Sequence, residues 1–128
     1  MRRILLTAVA VCGVFVLGIS ARAADEKEIK GILIDTACGT KQMSKDNPEE
    51  SAAGHPKACV QKCVKGGSTL SLISGKKIYE LDAKGAEMAN KYLASDTGNT
   101  KAIVVGTIND AGNKITVKEV KAQEQKKS

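Results

Sequence analysis

Residues 68–82, STLSLISGKKIYELD, decide the fold of this chain. Polar and apolar residues alternate on both sides of Ser74 and Gly75, and glycine suits a tight turn between two strands. The segment therefore predicts a β-hairpin made of STLSLIS and KKIYELD. The elements on either side of it follow from their hydrophobic spacing and turn residues.

A helix and a second hairpin are predicted after this segment. Residues 83–95, AKGAEMANKYLAS, place Ala86, Ala89 or Asn90, and Leu93 at helical spacing. Residues 102–110, AIVVGTIND, and 114–121, KITVKEVK, alternate around the turn-forming residues 110–113 and predict two more strands.

Before the hairpin, residues 28–39, EIKGILIDTACG, predict a first strand, although Leu33 interrupts strict alternation. Residues 40–54, TKQMSKDNPEESAAG, are polar and rich in turn formers, which indicates an ordered loop or at best a short helix. Pro56 suits the first turn of a helix and Gly66 a helix end, so residues 56–65 are predicted to be helical.

The resulting order is strand, cysteine-bearing insert, strand, strand, helix, strand, strand. We predict a mainly β fold with two short helices, a small five-stranded OB-like barrel whose Cys/His insert lies between strands 1 and 2. A closed sheet also has no exposed edge strands. A small α+β sandwich of the same elements is the alternative.

The first residues predict export. Two arginines precede an uncharged run of 16 residues, 4–19, and a small-x-small pattern ends at Ala23. This pattern is typical of a cleavable signal peptide, residues 1–23, and the run is shorter than the roughly 18 residues of a membrane span. A lipid-modified Cys12 is the alternative. We expect a periplasmic or secreted single domain, 24–128, with a core over about 29–120 and a polar tail, 121–128, and no membrane attachment after cleavage.

Charge and aromatic content bear on the partners. Without residues 1–23 the chain has 17 lysines against 14 acidic residues, and Tyr79 and Tyr92 are its only aromatics. OB folds bind single-stranded nucleic acid through aromatic stacking on a basic face, so a nucleic-acid partner is not expected. A protein or small-molecule partner stays unidentified at this stage.

Residues 55–67, HPKACVQKCVKGG, contain the only histidine and two of the four cysteines, spaced H-x3-C-x3-C. On a helix, Cys59 and Cys63 share one side with Cβ atoms about 6 Å apart, which is too far for an unstrained disulfide. Together with Cys38 and His55 they form a predicted Cys3His set, which suits zinc or monovalent copper. Asp35 is expected in the second shell or as a turn former. Metal binding, structural or as a carrier, is the first hypothesis.

Two alternatives stay open. Cys38 could pair with Cys59 or Cys63, and closing a loop of 20 or 24 residues would stabilise a non-enzymatic interaction domain by about 3 kcal/mol. The chain could instead be a periplasmic thiol redox protein using Cys59 or Cys63, although thioredoxin-like exchange uses C-x-x-C. No catalytic constellation is evident, so an enzyme is not predicted.

The motifs GILIDTACG, HPKACVQKCVKGG, KKIYELD and VVGTIND…KITVKEV together resemble those of a family. It comprises small exported bacterial proteins of the acidobacterial type, of unknown function. The resemblance spans about residues 29–120 and implies export and the extent of the domain. The matching positions are Gly31, Asp35, Cys38, His55, Cys59 and Cys63. The C-x3-C and histidine chemistry is also similar to that of exported copper chaperones and binuclear copper electron-transfer sites, although here the histidine precedes the cysteines.

Overall fold

The computed structural model describes residues 26–123, so the predicted signal peptide and the end of the predicted tail lie outside it. This part of the chain forms five strands and four helices. In chain order they are β1 (Lys27–Asp35), α1 (Thr36–Gln42), α2 (Pro48–Ala53), α3 (Lys57–Lys65), β2 (Leu70–Ser74), β3 (Lys77–Leu81), α4 (Ala83–Ala94), β4 (Lys101–Ile108) and β5 (Lys114–Ala122).

The strands form one sheet that closes on itself in the order β1-β2-β3-β5-β4, with β4 also paired to β1. Only the β3–β5 pair is parallel among the strand pairs of residues 26–123. The predicted hairpins are confirmed as β2–β3 and β4–β5, and the predicted strand 1 as β1. The fold is thus a mixed α/β fold built on a closed five-stranded sheet.

The prediction of two short helices was wrong. The helices at 56–65 and 83–95 are present as α3 and α4. Residues 40–54, predicted as an ordered loop or at best a short helix, contribute the end of α1 and all of α2. The predicted strand 28–39 ends at Asp35, and residues 36–39 belong to α1. Proline is favourable at the first position of α2, because the N–H group that it lacks would have no partner there. Glu49 and Glu50 in the first turn interact favourably with the positive end of the helix dipole.

Strand β1 changes partner in the middle. Residues from Lys27 to Ile32 pair with β4, and those from Ile32 to Asp35 pair with β2. At this crossing a Cβ atom on Gly31 would overlap the carbonyl oxygen of Ile73, so only glycine fits without a backbone shift. The close approach lets one strand join both halves of the closed sheet.

The interior of the sheet is filled by large aliphatic side chains. Helix α4 contributes Ala89 and Leu93, which are fully buried, and its N-cap Asp82 accepts the backbone N–H groups of Gly85 and Val117. The other buried residues of this core include Leu33, Leu70, Leu72, Tyr79, Leu81, Val104, Ile115 and Val117.

Helices α1, α2 and α3 pack against the C-terminal half of β1. A Cβ atom on Gly39 of α1 would lie 2.9 Å from Ile34 and 2.9 Å from Ile78, so this helix lies directly on the outer face of the sheet. Both faces of β1 are therefore covered at this end, which explains the unbroken apolar run of Ile32, Leu33 and Ile34. The last residue of the strand, Asp35, is fully buried and caps α1.

Candidate metal centre

Asp35 is a fully buried carboxylate held in a fixed orientation. It is the N-cap of α1, where its Oδ2 accepts the backbone N–H of Cys38 at 2.9 Å. This bond satisfies one of the orphan N–H groups of the helix. Because Oδ2 accepts this hydrogen bond, the second oxygen, Oδ1, remains available to a group beside the start of α1.

That neighbour is His55, in the turn between α2 and α3. Its backbone N–H donates to the carbonyl oxygen of Ala52 at 2.9 Å, and the following Pro56 restricts its backbone to extended conformations. The imidazole Nε2 lies 3.8 Å from Asp35 Oδ1, which is too long for a hydrogen bond. Both atoms are buried, and neither has a hydrogen-bond partner within residues 26–123.

Cys38 completes a group of three. Its Sγ, the Asp35 carboxylate and the His55 imidazole each offer a ligand atom, and these atoms all lie within 4.8 Å of one another. Sulfur, imidazole nitrogen and carboxylate oxygen are the zinc ligands of proteins, at about 2.0–2.3 Å from the ion. In a tetrahedral site these bond lengths separate the ligand atoms from each other by roughly 3.3–3.8 Å. For an oxygen and a nitrogen ligand, whose bonds to zinc are about 2.0–2.2 Å, the separation is roughly 3.3–3.5 Å. The 3.8 Å between Asp35 Oδ1 and His55 Nε2 is slightly longer than this, and it is nearer to a pair of ligands than to a hydrogen bond of about 2.9 Å.

The surroundings hold the Cys38 thiol in its protonated form while no cation is bound. Burial raises its pKa to about 11, and the Asp35 carboxylate and the Cys63 thiol add to the shift. A bound cation reverses this effect because it stabilises the thiolate directly. Two unpaired buried atoms and one suppressed thiolate are thus arranged around the position where a positive charge would relieve all three.

The structure distributes the four cysteine and histidine residues of the predicted Cys3His set unequally. Cys38 and His55 belong to the three-residue group, and Cys63 of α3 is half-buried with its thiol beside Cys38. Cys59, one turn earlier on α3, is exposed. All three cysteines of the described segment are free thiols, so neither candidate disulfide, Cys38–Cys59 or Cys38–Cys63, is formed.

Asp35 was expected only to orient the ligands or to form a turn, whereas in the structure one of its carboxylate oxygens lies within 4.8 Å of the candidate ligand atoms of Cys38 and His55. The spacing D-x-x-C at a strand end was a usable signal. An Asp N-cap bonds the N–H of the residue three positions later, so its carboxylate is necessarily close to that residue's side chain. In this chain that residue is Cys38.

Comparison of the chain with protein-family models, with curated proteins and with solved structures gave no match. Among residues 26–123, no helix combines the length and apolar character required to cross a membrane. The chemistry of the site therefore rests on the residues described above.

Proposed function

We propose that the protein binds a single metal ion through Asp35, Cys38 and His55, with the Cys63 thiol as the fourth donor. The observation that carries this proposal is the pair of buried, unpartnered atoms, Asp35 Oδ1 and His55 Nε2, that face each other at 3.8 Å. A buried polar atom without a partner costs about 1–3 kcal/mol, and one cation bound between these two atoms would satisfy both.

The donor set favours zinc over monovalent copper. Monovalent copper prefers soft thiolate and thioether donors, whereas zinc accepts carboxylate, imidazole and thiolate together. The Asp35 carboxylate therefore favours zinc, and monovalent copper is the second metal to test. Four protein donors leave no open position for a substrate, so the role is structural or that of a carrier.

The wider setting of this function is also a proposal. We interpret the closed sheet as an OB-like barrel, supported by the strand order β1-β2-β3-β5-β4 and the position of α4 between β3 and β4. Residues 1–23 are proposed to direct export to the periplasm or beyond, in line with the resemblance to small exported bacterial proteins. The proposal is thus an exported metal-binding protein with no catalytic activity of its own.

Mass spectrometry of the reduced, zinc-incubated protein under native and denaturing conditions tests the proposal. We expect zinc mass in the native state only, with three free thiols after unfolding of the exported form. Cys38→Ser and His55→Ala should lose the zinc mass, whereas Cys59→Ser, the same chemical change at an exposed position, should keep it.

Two results would contradict the proposal. A native protein that carries no zinc or copper, and whose mass is lower by two hydrogen atoms before reduction, would favour a disulfide-stabilised interaction domain. Zinc binding that survives His55→Ala would place the ion elsewhere, because His55 is one of the three residues of the group.

A further inference from the structure

The exposed thiol of Cys59 is not part of the three-residue group, but Cys59 follows one of its members, His55, by four residues. Backbone bonds from the N–H groups of Cys59 and Val60 to the carbonyl oxygen of Pro56 start α3 immediately after His55. Cys59 thus lies in the first turn after a ligand, and Cys63 follows it by four residues on the same side of the helix, with Cβ atoms about 6 Å apart.

Exposure increases stepwise from the inside of the site to this thiol. The side chain of Asp35 is 0% exposed and that of His55 is 20% exposed. Cys38 and Cys63 are half-buried, and Cys59 is exposed. On a helical wheel, Val60 points into the core, Cys63 lies on the flank of the buried face, and Cys59 lies farther out on that same flank. Cys59 is therefore the exposed member of this series of residues.

We propose that Cys59 is the exchange ligand of this centre: it binds the ion transiently while the ion enters or leaves, and is not a ligand of the resting site. This inference rests on the proposed metal binding by Asp35, Cys38 and His55. During each passage the Cys59 thiol releases its proton to water as the metal–sulfur bond forms, and one bond from the ion to an inner ligand breaks. No electrons are transferred.

The physical reason is the slow exchange of enclosed ions. An ion held by four donors that are buried or half-buried can leave only if bonds break before new ones form, whereas a nearby thiol can bond first. Zinc tolerates the brief rise to five ligands that this requires. Because a donor that acts only in passage accelerates entry and exit equally, its removal changes rates and leaves the equilibrium affinity unchanged.

Stopped-flow transfer of zinc from the reduced protein to the colorimetric chelator pyridylazoresorcinol measures the exit rate, and competition titration with the same chelator measures the affinity. For Cys59→Ser we expect transfer about tenfold slower, which corresponds to about 1.4 kcal/mol in activation free energy, with unchanged affinity. Ala58→Ser is the matched control, because it places the same hydroxyl on the adjacent exposed position of α3. Cys59→Ala should behave like Cys59→Ser.

Other outcomes overturn the inference in distinguishable ways. Equal transfer rates in Cys59→Ser and the unaltered protein show that the thiol does not assist exchange. Faster transfer together with weakened affinity shows that Cys59 is a ligand of the resting site. If the unaltered protein binds no zinc at all, the proposed metal binding fails, and this inference fails with it.

Discussion

Replacing Asp35 by asparagine should stabilise the metal-free protein. The carboxylate is fully buried, with Oδ2 bonded to the Cys38 N–H and Oδ1 unpaired. Asparagine caps helices as well as aspartate does, so its oxygen can keep the bond to Cys38. Its amide nitrogen takes the place of Oδ1, 3.8 Å from His55 Nε2, and a side-chain rotation that closes this gap to about 3 Å lets it donate to that nitrogen in one tautomer. Relief of the unpaired oxygen is worth about 1 kcal/mol, at the lower end of the range because one amide proton stays unpaired.

With zinc present, the same substitution should destabilise the protein relative to the unaltered chain. A ligand that binds only the folded state adds about 2.7 kcal/mol to the free energy of unfolding at a free concentration 100 times its Kd. Asp35→Asn replaces the anionic oxygen donor by a neutral amide, so most of this increment should disappear. The order of stability of the two proteins therefore reverses between chelator and zinc.

Urea unfolding followed by far-ultraviolet circular dichroism, in EDTA and in zinc, measures both effects. In a thermal unfolding experiment in EDTA, the same gain of about 1 kcal/mol would raise Tm by about 4–8 °C for a domain of this size. Asp35→Ala is the control for the cap: it removes the acceptor of the Cys38 N–H and should lower stability by about 1 kcal/mol in EDTA. If Asp35→Asn is less stable than the unaltered protein in EDTA and binds zinc equally well, the carboxylate is structural and our reasoning is refuted.

Four further predictions concern the packing of the fold and the thiols. Gly85→Ala should lower the free energy of unfolding by about 1–2 kcal/mol in urea, because overlap of the new Cβ with Val117 of β5 outweighs the gain in helix propensity. Gly54→Ala is the control and should be near neutral, because its Cβ would lie 3.5 Å from the carbonyl oxygen of Ser51, an ordinary contact distance. Leu93→Ala should cost about 2–5 kcal/mol in the same assay, since this side chain is fully buried, and a loss below 1 kcal/mol would contradict the packing described. In EDTA near pH 8, iodoacetamide should modify Cys59 first and Cys38 last, because the pKa of the Cys38 thiol is raised to about 11, and peptide mapping should show the order vanish in denaturant. The folded protein also keeps the Cys38 proton longer than the unfolded chain, so the metal-free stability should fall as pH rises from about 9 toward 11; a rise there would reverse the sign of the shift.

The elements that could be predicted from sequence are those with local signals. The β2–β3 hairpin follows from alternation around Gly75, which adopts the left-handed conformation at φ 59° that glycine favours. Helix α4 follows from helical spacing after Asp82, whose side chain caps it. In these segments the local preference and the final fold agree, so no tertiary information was needed.

Helix α1 was not predicted, and α2 was predicted only as an ordered loop or at best a short helix, because the contacts that stabilise them are made with the sheet beneath them. Helix α1 contains a glycine in its middle, which is unfavourable for an isolated helix, yet Gly39 is the residue that lets the helix approach Ile34 and Ile78. Helix α2 did carry a readable signal, Pro48 followed by two glutamates, and the polar composition of the segment outweighed it in the prediction.

The candidate site could be predicted only in part from the sequence, for a similar reason. The cysteine and histidine spacing predicted a metal site that includes Cys38 and His55, two members of the candidate group, but spacing along α3 does not reveal how far each thiol lies from β1. The structure adds Asp35 to the ligand atoms and leaves Cys59 on the surface. That distinction depends on the tertiary packing of α3 against β1, which the chain's local pattern does not encode.

The double partnership of β1 has a consequence for how the chain folds. The residues from Asp35 to Cys63 that build the site are close in sequence, whereas β1 meets β4 through pairs as distant as Lys27 with Gly106. Contacts of such large sequence separation are slow to form, because loop closure is unfavourable until they are made. Closure of the β1–β4 seam is therefore expected to be the late step of folding. Until β4 has been synthesised, the first half of β1 has no neighbour to pair with.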